Sequence, residues 1–183
     1  MQVGVKAIRD GVKLPEYGTE RSACADLRAS LGDPGSVKVL DENNDASLLQ
    51  GFLGLVRPWL PGLVKKHADD LIVIPPRGRA LIPTGLVFDI PEGYSLRVHP
   101  RSGLSFKLGM TVVCGEGVID EDYQNELFVP IINLSDEYAE IKNGDRIAQI
   151  ELVKDERCSF SFVDTLSDKH SSRNGGFGHT GTA

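Results

Sequence analysis

Five short stretches carry the residue types that chemistry needs. "HPRSGLSFKLG" sets Arg101 beside Ser102 and Gly103. A guanidinium next to a hydroxyl and a glycine suits an oxyanion such as phosphate: the arginine supplies charge-assisted bonds and the glycine lets backbone approach. "GVIDEDYQNE" crowds Asp120, Glu121 and Asp122 against Tyr123. "GDRIAQI" is a turn into a strand carrying Arg146 and Gln149, and "SACADLRA" sets small residues around one acid, Asp26. The chain closes on "SSRNGGFGHTGTA", with glycines around Phe177, Arg173 upstream and a His179-Thr180 pair. Taken singly, Asp26 caps a turn, Arg101 and Arg146 make surface ion pairs, and the acids around Asp120 are a solvated loop. Together in one small chain, the five point to a site for an anionic small ligand.

The elements that must hold these residues read as strands. "DLIVIPP" is an apolar run ended by two prolines, and "RALIPTGLVFDIPEGY" breaks at Pro83 and again at Pro91-Glu92-Gly93. "ELFVPIIN" and "AEIKNGDRIAQIELV" follow, with a tight turn expected at Asn143-Gly144. Eight or more such segments with almost no helical periodicity predict an all-β sandwich, barrel or jelly roll. Residues from about 31 to 70 differ in composition. They begin polar and turn-rich, then space Leu48, Leu49, Phe52, Leu53 and Val56 as on one helical face. We expect a surface insertion with a short helix packed on the barrel. Trp59, Phe52 and the nearby leucines offer the other reading, a docking surface for a protein partner.

Composition narrows the class. The 183 residues suit one domain with one sizeable insertion, and 40% apolar residues suffice for a core. A net charge of -6 argues against sequence-independent nucleic-acid binding. Three separated cysteines argue against a disulfide framework and for a reducing compartment. With no CxxC and no HExxH-type spacing, the sequence predicts no protein-ligated zinc site. The N-terminus lacks a signal-peptide pattern and no apolar run is long enough to span a bilayer, so the expectation is a soluble cytoplasmic protein without membrane contact.

The five stretches, in this order and with Asn133 downstream, resemble the motifs of the trimeric dUTPase family over residues 1 to 30 and 71 to 183. The resemblance implies a distorted jelly roll over residues 1–165, with the insertion at about 31–70. It implies a flexible C-terminal arm over 166–183 that closes the active site. It further implies a homotrimer whose three sites each draw motifs from different chains, and Mg²⁺-dependent conversion of dUTP to dUMP and pyrophosphate. That activity limits uracil in DNA and supplies dUMP for dTMP synthesis.

By matching position, Asp120 is the general base that activates water. Tyr123 packs under the deoxyribose and leaves no room for a 2′-hydroxyl. Arg101, Ser102, Gly103 and Gln149 contact phosphate, with Arg146 more structural. Asp26 holds metal-bound waters. The backbone of a Val112 to Gly117 hairpin reads uracil, and Cys114, Gly117 and Ile119 fall among the substrate-binding positions. Phe177 stacks on the base, while Arg173, Gly178, His179 and Thr180 grip the γ-phosphate. Three positions depart from the family pattern. Cys114 stands where many relatives carry a base-binding asparagine, Gln124-Asn125 replaces Arg-Gly, and Arg173 lies four rather than five residues before Phe177. A dCTP deaminase would share the fold but needs a glutamate at the position of Pro130. Proline can be neither acid nor base.

Overall fold

The structure, a computed structural model, describes residues 1–32, 37–44 and 71–168. Among the described residues, thirteen strands and one short helix follow one another. They are β1 (Gly4–Ala7), β2 (Glu16–Tyr17), β3 (Ala25–Arg28), β4 (Lys38–Leu40), β5 (Leu71–Ile74), β6 (Arg79–Pro83), β7 (Leu86–Asp89) and β8 (Tyr94–His99). Then come α1 (Ser102–Leu108), β9 (Met110–Val112), β10 (Gly117–Ile119), β11 (Phe128–Asn133), β12 (Ala139–Lys142) and β13 (Arg146–Lys154). Every strand pair is antiparallel. A five-stranded sheet runs β10-β8-β13-β3-β2 and a four-stranded sheet runs β4-β6-β11-β9, with β1-β7 and β12-β5 as smaller pairs. The expected all-β class holds.

Alternation explains the strands. In β3, Ala25 and Leu27 point inward while Asp26 and Arg28 point out. In β11, Val129, Ile131 and Asn133 are buried and the residues between them less so. Leu27, Ile74, Ile82, Val129 and Ile131 are all fully buried. Each such side chain contributes about 1.5–3 kcal/mol of transfer free energy. Pro130 lies inside β11 without breaking it. Its carbonyl accepts from Val113 N–H just past the end of β9, so its missing N–H faces the side where the β9 ladder has stopped.

Three expectations meet this frame. Asn143-Gly144 does form a tight turn, with Asp145 N–H on the Lys142 carbonyl and Gly144 at φ 84°. It joins strands of different sheets, however, so it is a corner rather than a hairpin turn. Likewise β9 and β10 do not pair: β9 lies on β11 and β10 on β8. The expected Val112 to Gly117 hairpin is instead a link between two sheets. Part of the expected insertion is body. Leu31 is fully buried and Lys38–Leu40 form β4 on β6, whereas the helix expected over residues 48–56 lies outside the described residues. Among the described residues, no helix is long and apolar enough to cross a membrane.

Asn133 is the polar node of this core. It is fully buried, and its amide nitrogen reaches the carbonyls of Ile74 (3.1 Å), Pro75 (3.1 Å) and Glu137 (2.7 Å). Its oxygen accepts from the Ser135 N–H (3.0 Å) and hydroxyl (2.7 Å). One side chain thus ties the ends of β5 and β11 together. Truncation leaves several buried carbonyls without a donor, each costing about 1–3 kcal/mol. We expect Asn133→Ala to lose roughly 3 kcal/mol or more in urea unfolding. A loss below about 0.5 kcal/mol, the range of ordinary surface substitutions, would remove the node.

Candidate active site

Three of the five sequence stretches meet on one face of the five-stranded sheet. Gln149 on β13 stands between Asp26 on β3 and His99 on β8 in the ladder. A bulge makes this possible. The register shifts between Arg146 and Ala148, so Arg146 pairs with Arg28 while Ala148 pairs with Leu27. Ile147 is the extra residue, and Ile147 and Ala148 are both buried. In a regular strand, residues three apart point to opposite faces. The bulge puts Arg146 and Gln149 on the same face.

Asp26 is the centre of the cluster. Its Oδ1 accepts from Arg101 Nε at 2.8 Å and its Oδ2 from Arg146 Nη1 at 3.1 Å. Arg101 also donates from Nη1 to the Arg146 carbonyl at 3.2 Å, and Gln149 Nε2 donates to the Pro100 carbonyl at 3.0 Å. These bonds fix the strand-to-helix junction. Arg101 is the last extended residue, and α1 begins at Ser102 and Gly103, both exposed. The first-turn N–H groups of such a helix have no intrahelical acceptor, so they and the Ser102 hydroxyl face solvent as donors. Arg101, read from sequence as a phosphate contact, has its guanidinium engaged with Asp26 and the Arg146 carbonyl. The helix itself was not legible, because seven residues are too few for a period of 3.6 to register. Beside Asp26 and Gln149 lies an open cavity of about 360 Å³, also lined by Gly18, Ser22, Ala23 and Cys24.

Asp120 and Tyr123 lie elsewhere. Ile119 pairs with Leu96, so continuing that register sets Asp120 opposite Ser95. From Ser95 to Arg101 is six residues of extended chain, about 20 Å. Within one chain the two groups therefore do not meet. Asp120 is exposed, and among the described residues no side chain bonds to its carboxylate, leaving it able to accept from water. The turn is held from both sides. Tyr123 N–H donates to the Asp120 carbonyl (3.1 Å), and the Tyr123 hydroxyl donates to the Glu126 carbonyl (2.9 Å). Cys114 is exposed in the link before β10, where the N–H groups of Val113, Gly115 and Glu116 already bond to backbone carbonyls. Gly117 and Ile119 are the ends of β10. Arg173, Phe177, Gly178, His179 and Thr180 lie outside the described residues.

Two glutamates hold the Asp120 loop: Glu126, not singled out from sequence, and Glu121, named there only as one of a run of acids. Glu126 takes both Nη atoms of Arg9, the longer contact 2.7 Å, and the Gly85 N–H at 2.7 Å. That pairing raises the Arg9 pKa. Its signal in the sequence was a lone acid opening an apolar run, "ELFVPIIN". Gly85 sits at φ 71°, and a side chain there would meet Val12 and Ser30. Glu121, next to Asp120, accepts from Gly93 N–H and from Arg157 at 2.9 Å. The Gly93 bond, and then Arg157, hold its carboxyl below the ordinary 4.5.

Comparison with known proteins follows this geometry. The dUTPase family model matches residues 66–181. The deoxyuridine 5'-triphosphate nucleotidohydrolase of Treponema denticola is 37% identical over 183 residues, covering all of both chains. Among solved structures, the Staphylococcus bacteriophage 80alpha dUTPase superposes with a TM-score of 0.70 at 20% identity, over 99% of both chains. The dUTPase of S. aureus phage phi11, described with a structural Mg(II) ion, gives 0.63 at 18% identity, over 92% of this chain and all of that one.

The lowered Glu121 pKa sets a pH test. The charged form is favoured by folding, so its contribution is complete above the ordinary carboxylate range and fades as pH falls through the lowered value. Glu121→Gln should lower Tm at pH 7, and the gap from the unaltered protein should close below pH about 4. A gap that stays constant across that range would mean the charge contributes nothing.

Proposed function

Since the chain belongs to the dUTPase family, we propose that it hydrolyses dUTP to dUMP and pyrophosphate, with Asp120 as the general base. The observation carrying this reading is the Asp120 carboxylate. It is exposed and unpaired among the described residues, at the end of a strand and on a turn pinned by Tyr123 and Glu126. The Asp120 oxygen takes a proton from water as the water oxygen attacks the α-phosphorus. The α–β phosphoanhydride bond breaks and pyrophosphate leaves with the electron pair. The exposed hydroxyl of Ser102, the first-turn N–H groups of α1 and Gln149 face the phosphate chain. Preorganised donors of this kind need no reorganisation as charge develops. Tyr123, a third exposed, packs against the deoxyribose and excludes a 2′-hydroxyl.

Mg²⁺ fits the donor set only through water. Asp26 is a hard oxygen donor, but both its oxygens are already engaged by arginines, and Mg²⁺ tolerates few direct protein ligands. Mg²⁺ carried by the phosphates would neutralise their charge, with Asp26 holding its waters. The roughly 20 Å of extended strand that separates the Asp120 end of β8 from Arg101 within one chain supports a homotrimer whose sites are completed by a second copy. So does the described C-terminal segment, where Phe160, Phe162, Val163 and Leu166 stand exposed with no core of their own. The residue 171–183 tail then closes over the site, Phe177 on the base and Thr180 with Arg173 on the γ-phosphate. This activity places the protein in dUMP supply and in keeping uracil out of DNA, in the cytoplasm. Residues outside the described part of the 31–70 insertion are left as a second surface for a protein partner.

Pyrophosphate release measured with dUTP, dTTP, dCTP and UTP tests the reading, and only dUTP should turn over. Equal turnover of UTP would sink the role given to Tyr123. Asp120→Asn should bind dUTP normally and lose about 10²–10⁴ in kcat; near-normal turnover would assign the base elsewhere. Deleting residues 171–183 should leave the assembly folded and cost about 100-fold in turnover, the scale of a lost positioning element. Full activity of the shortened chain would return the tail to a passive end.

A further inference from the structure

One face of the five-stranded sheet carries a second cluster, one row along from Asp26. Asp26, Gln149 and His99 share a row across β3, β13 and β8. Two residues along each outer strand and β13, side chains return to the same face. Cys24, just before β3, therefore faces outward with Asp26, and Glu151 faces outward with Gln149. His99 is the diagonal neighbour of Glu151. The ligand atoms of Cys24, His99 and Glu151 all lie within 4.8 Å of one another, and each residue is half-buried. His99 Nε2 is 3.0 Å from Glu151 Oε1.

We propose that Cys24, His99 and Glu151 form a transition-metal site, suited to Zn²⁺ and separate from any Mg²⁺ carried by phosphate. The donor set argues for the metal class. One thiolate, one imidazole and one carboxylate are the ligands zinc takes, whereas Mg²⁺ avoids sulfur. Three protein ligands leave a fourth position for water. Bonds of about 2.0–2.3 Å in a tetrahedron hold ligand atoms roughly 3.3–3.8 Å apart. His99 and Glu151 are held by the β8–β13 ladder, and Cys24 immediately precedes Ala25, which pairs with Ile150, so the backbones that carry the three ligands are already neighbours.

A fourth group fits the same reading. Glu116 Oε1 lies 3.6 Å from His99 Nδ1, on the side of the ring away from Glu151. When Nε2 binds a metal, Nδ1–H needs an acceptor to hold the ring, and a carboxylate is a usual one. Binding a metal at Cys24 displaces the thiol proton, since zinc takes the thiolate. An ion here links β3, β13 and β8 beside the cavity shared by Cys24, Asp26 and Gln149.

Untagged full-length protein, stripped of metal by chelator, is titrated with Zn²⁺ alone by calorimetry and with Co²⁺ by absorption. The expected result is one ion per chain, with a near-ultraviolet thiolate-to-cobalt charge-transfer band. The band should vanish in Cys24→Ser and survive in a Cys114→Ser, Cys158→Ser double variant. Glu151→Gln keeps a hydrogen-bonding partner for His99, so it tests affinity even if Cys24→Ser fails to fold. It should weaken Zn²⁺ binding by more than about tenfold, since even outer partners of zinc ligands are worth that much. A band that persists in Cys24→Ser, one ion per three chains, or unchanged affinity in Glu151→Gln would each overturn the site. So would no binding at all.

Discussion

A single carboxylate between two guanidiniums organises one outer face of the five-stranded sheet. Asp26 accepts from Arg101 on one oxygen and Arg146 on the other, and its side chain is only 16% exposed. A lone carboxylate that far from water would be costly, and a lone arginine at a sheet edge would swing. Paired, they set the direction in which the chain leaves β8 and enters α1. The exposed start of that helix, Ser102 and Gly103, depends on this joint for its position. Because Arg146 is half exposed, its share of the energy is modest. The Arg101 bond, shorter and better shielded, carries more.

The joint itself rests on a backbone irregularity. Had β13 run without its bulge, Arg146 and Gln149 could not share a face, and Asp26 would keep one partner. The cost is an extra residue, which Ile147 offsets by being apolar and buried beside Ala148. A similar logic holds the opposite end. Glu126 gathers Arg9 and the Gly85 N–H, and Glu121 gathers Gly93 and Arg157, so the Asp120 loop is tied to the segment after β1, the β6–β7 turn, the β7–β8 turn and the segment after β13. Loops carrying reactive groups are precise only when such bonds over-determine them.

The sheet face that holds Asp26 has more chemistry than the phosphate reading uses. Cys24, His99 and Glu151 come from stretches 52 or more residues apart or from different strands, so no local spacing announces them. The sequence-based expectation of no zinc site rested on local motifs such as CxxC. That inference is sound for ligands on one turn or helix, and says nothing about ligands aligned across a sheet. Arg101 shows the reverse case. Its neighbours Ser102 and Gly103 suited an anion, and its own guanidinium is spent on Asp26.

Much of this protein was readable without coordinates, because it is local. Short apolar runs between turn signals follow from strand geometry, so β5, β6, β11 and β13 were legible, as was the turn at Gly144. Motif order carried the family. What the order of residues cannot contain is which strands become neighbours. That depends on distant apolar faces finding a common core, and it decided that β9 and β10 part to different sheets. It decided that Leu31 and β4 belong to the body, and that Asn133 caps two strand ends. It also decided that Asp26 meets Arg101 and Arg146 while Asp120 lies about 20 Å along β8. The types of residue at the site were set by sequence; their company was set by register, and one bulged residue in β13 determines that register.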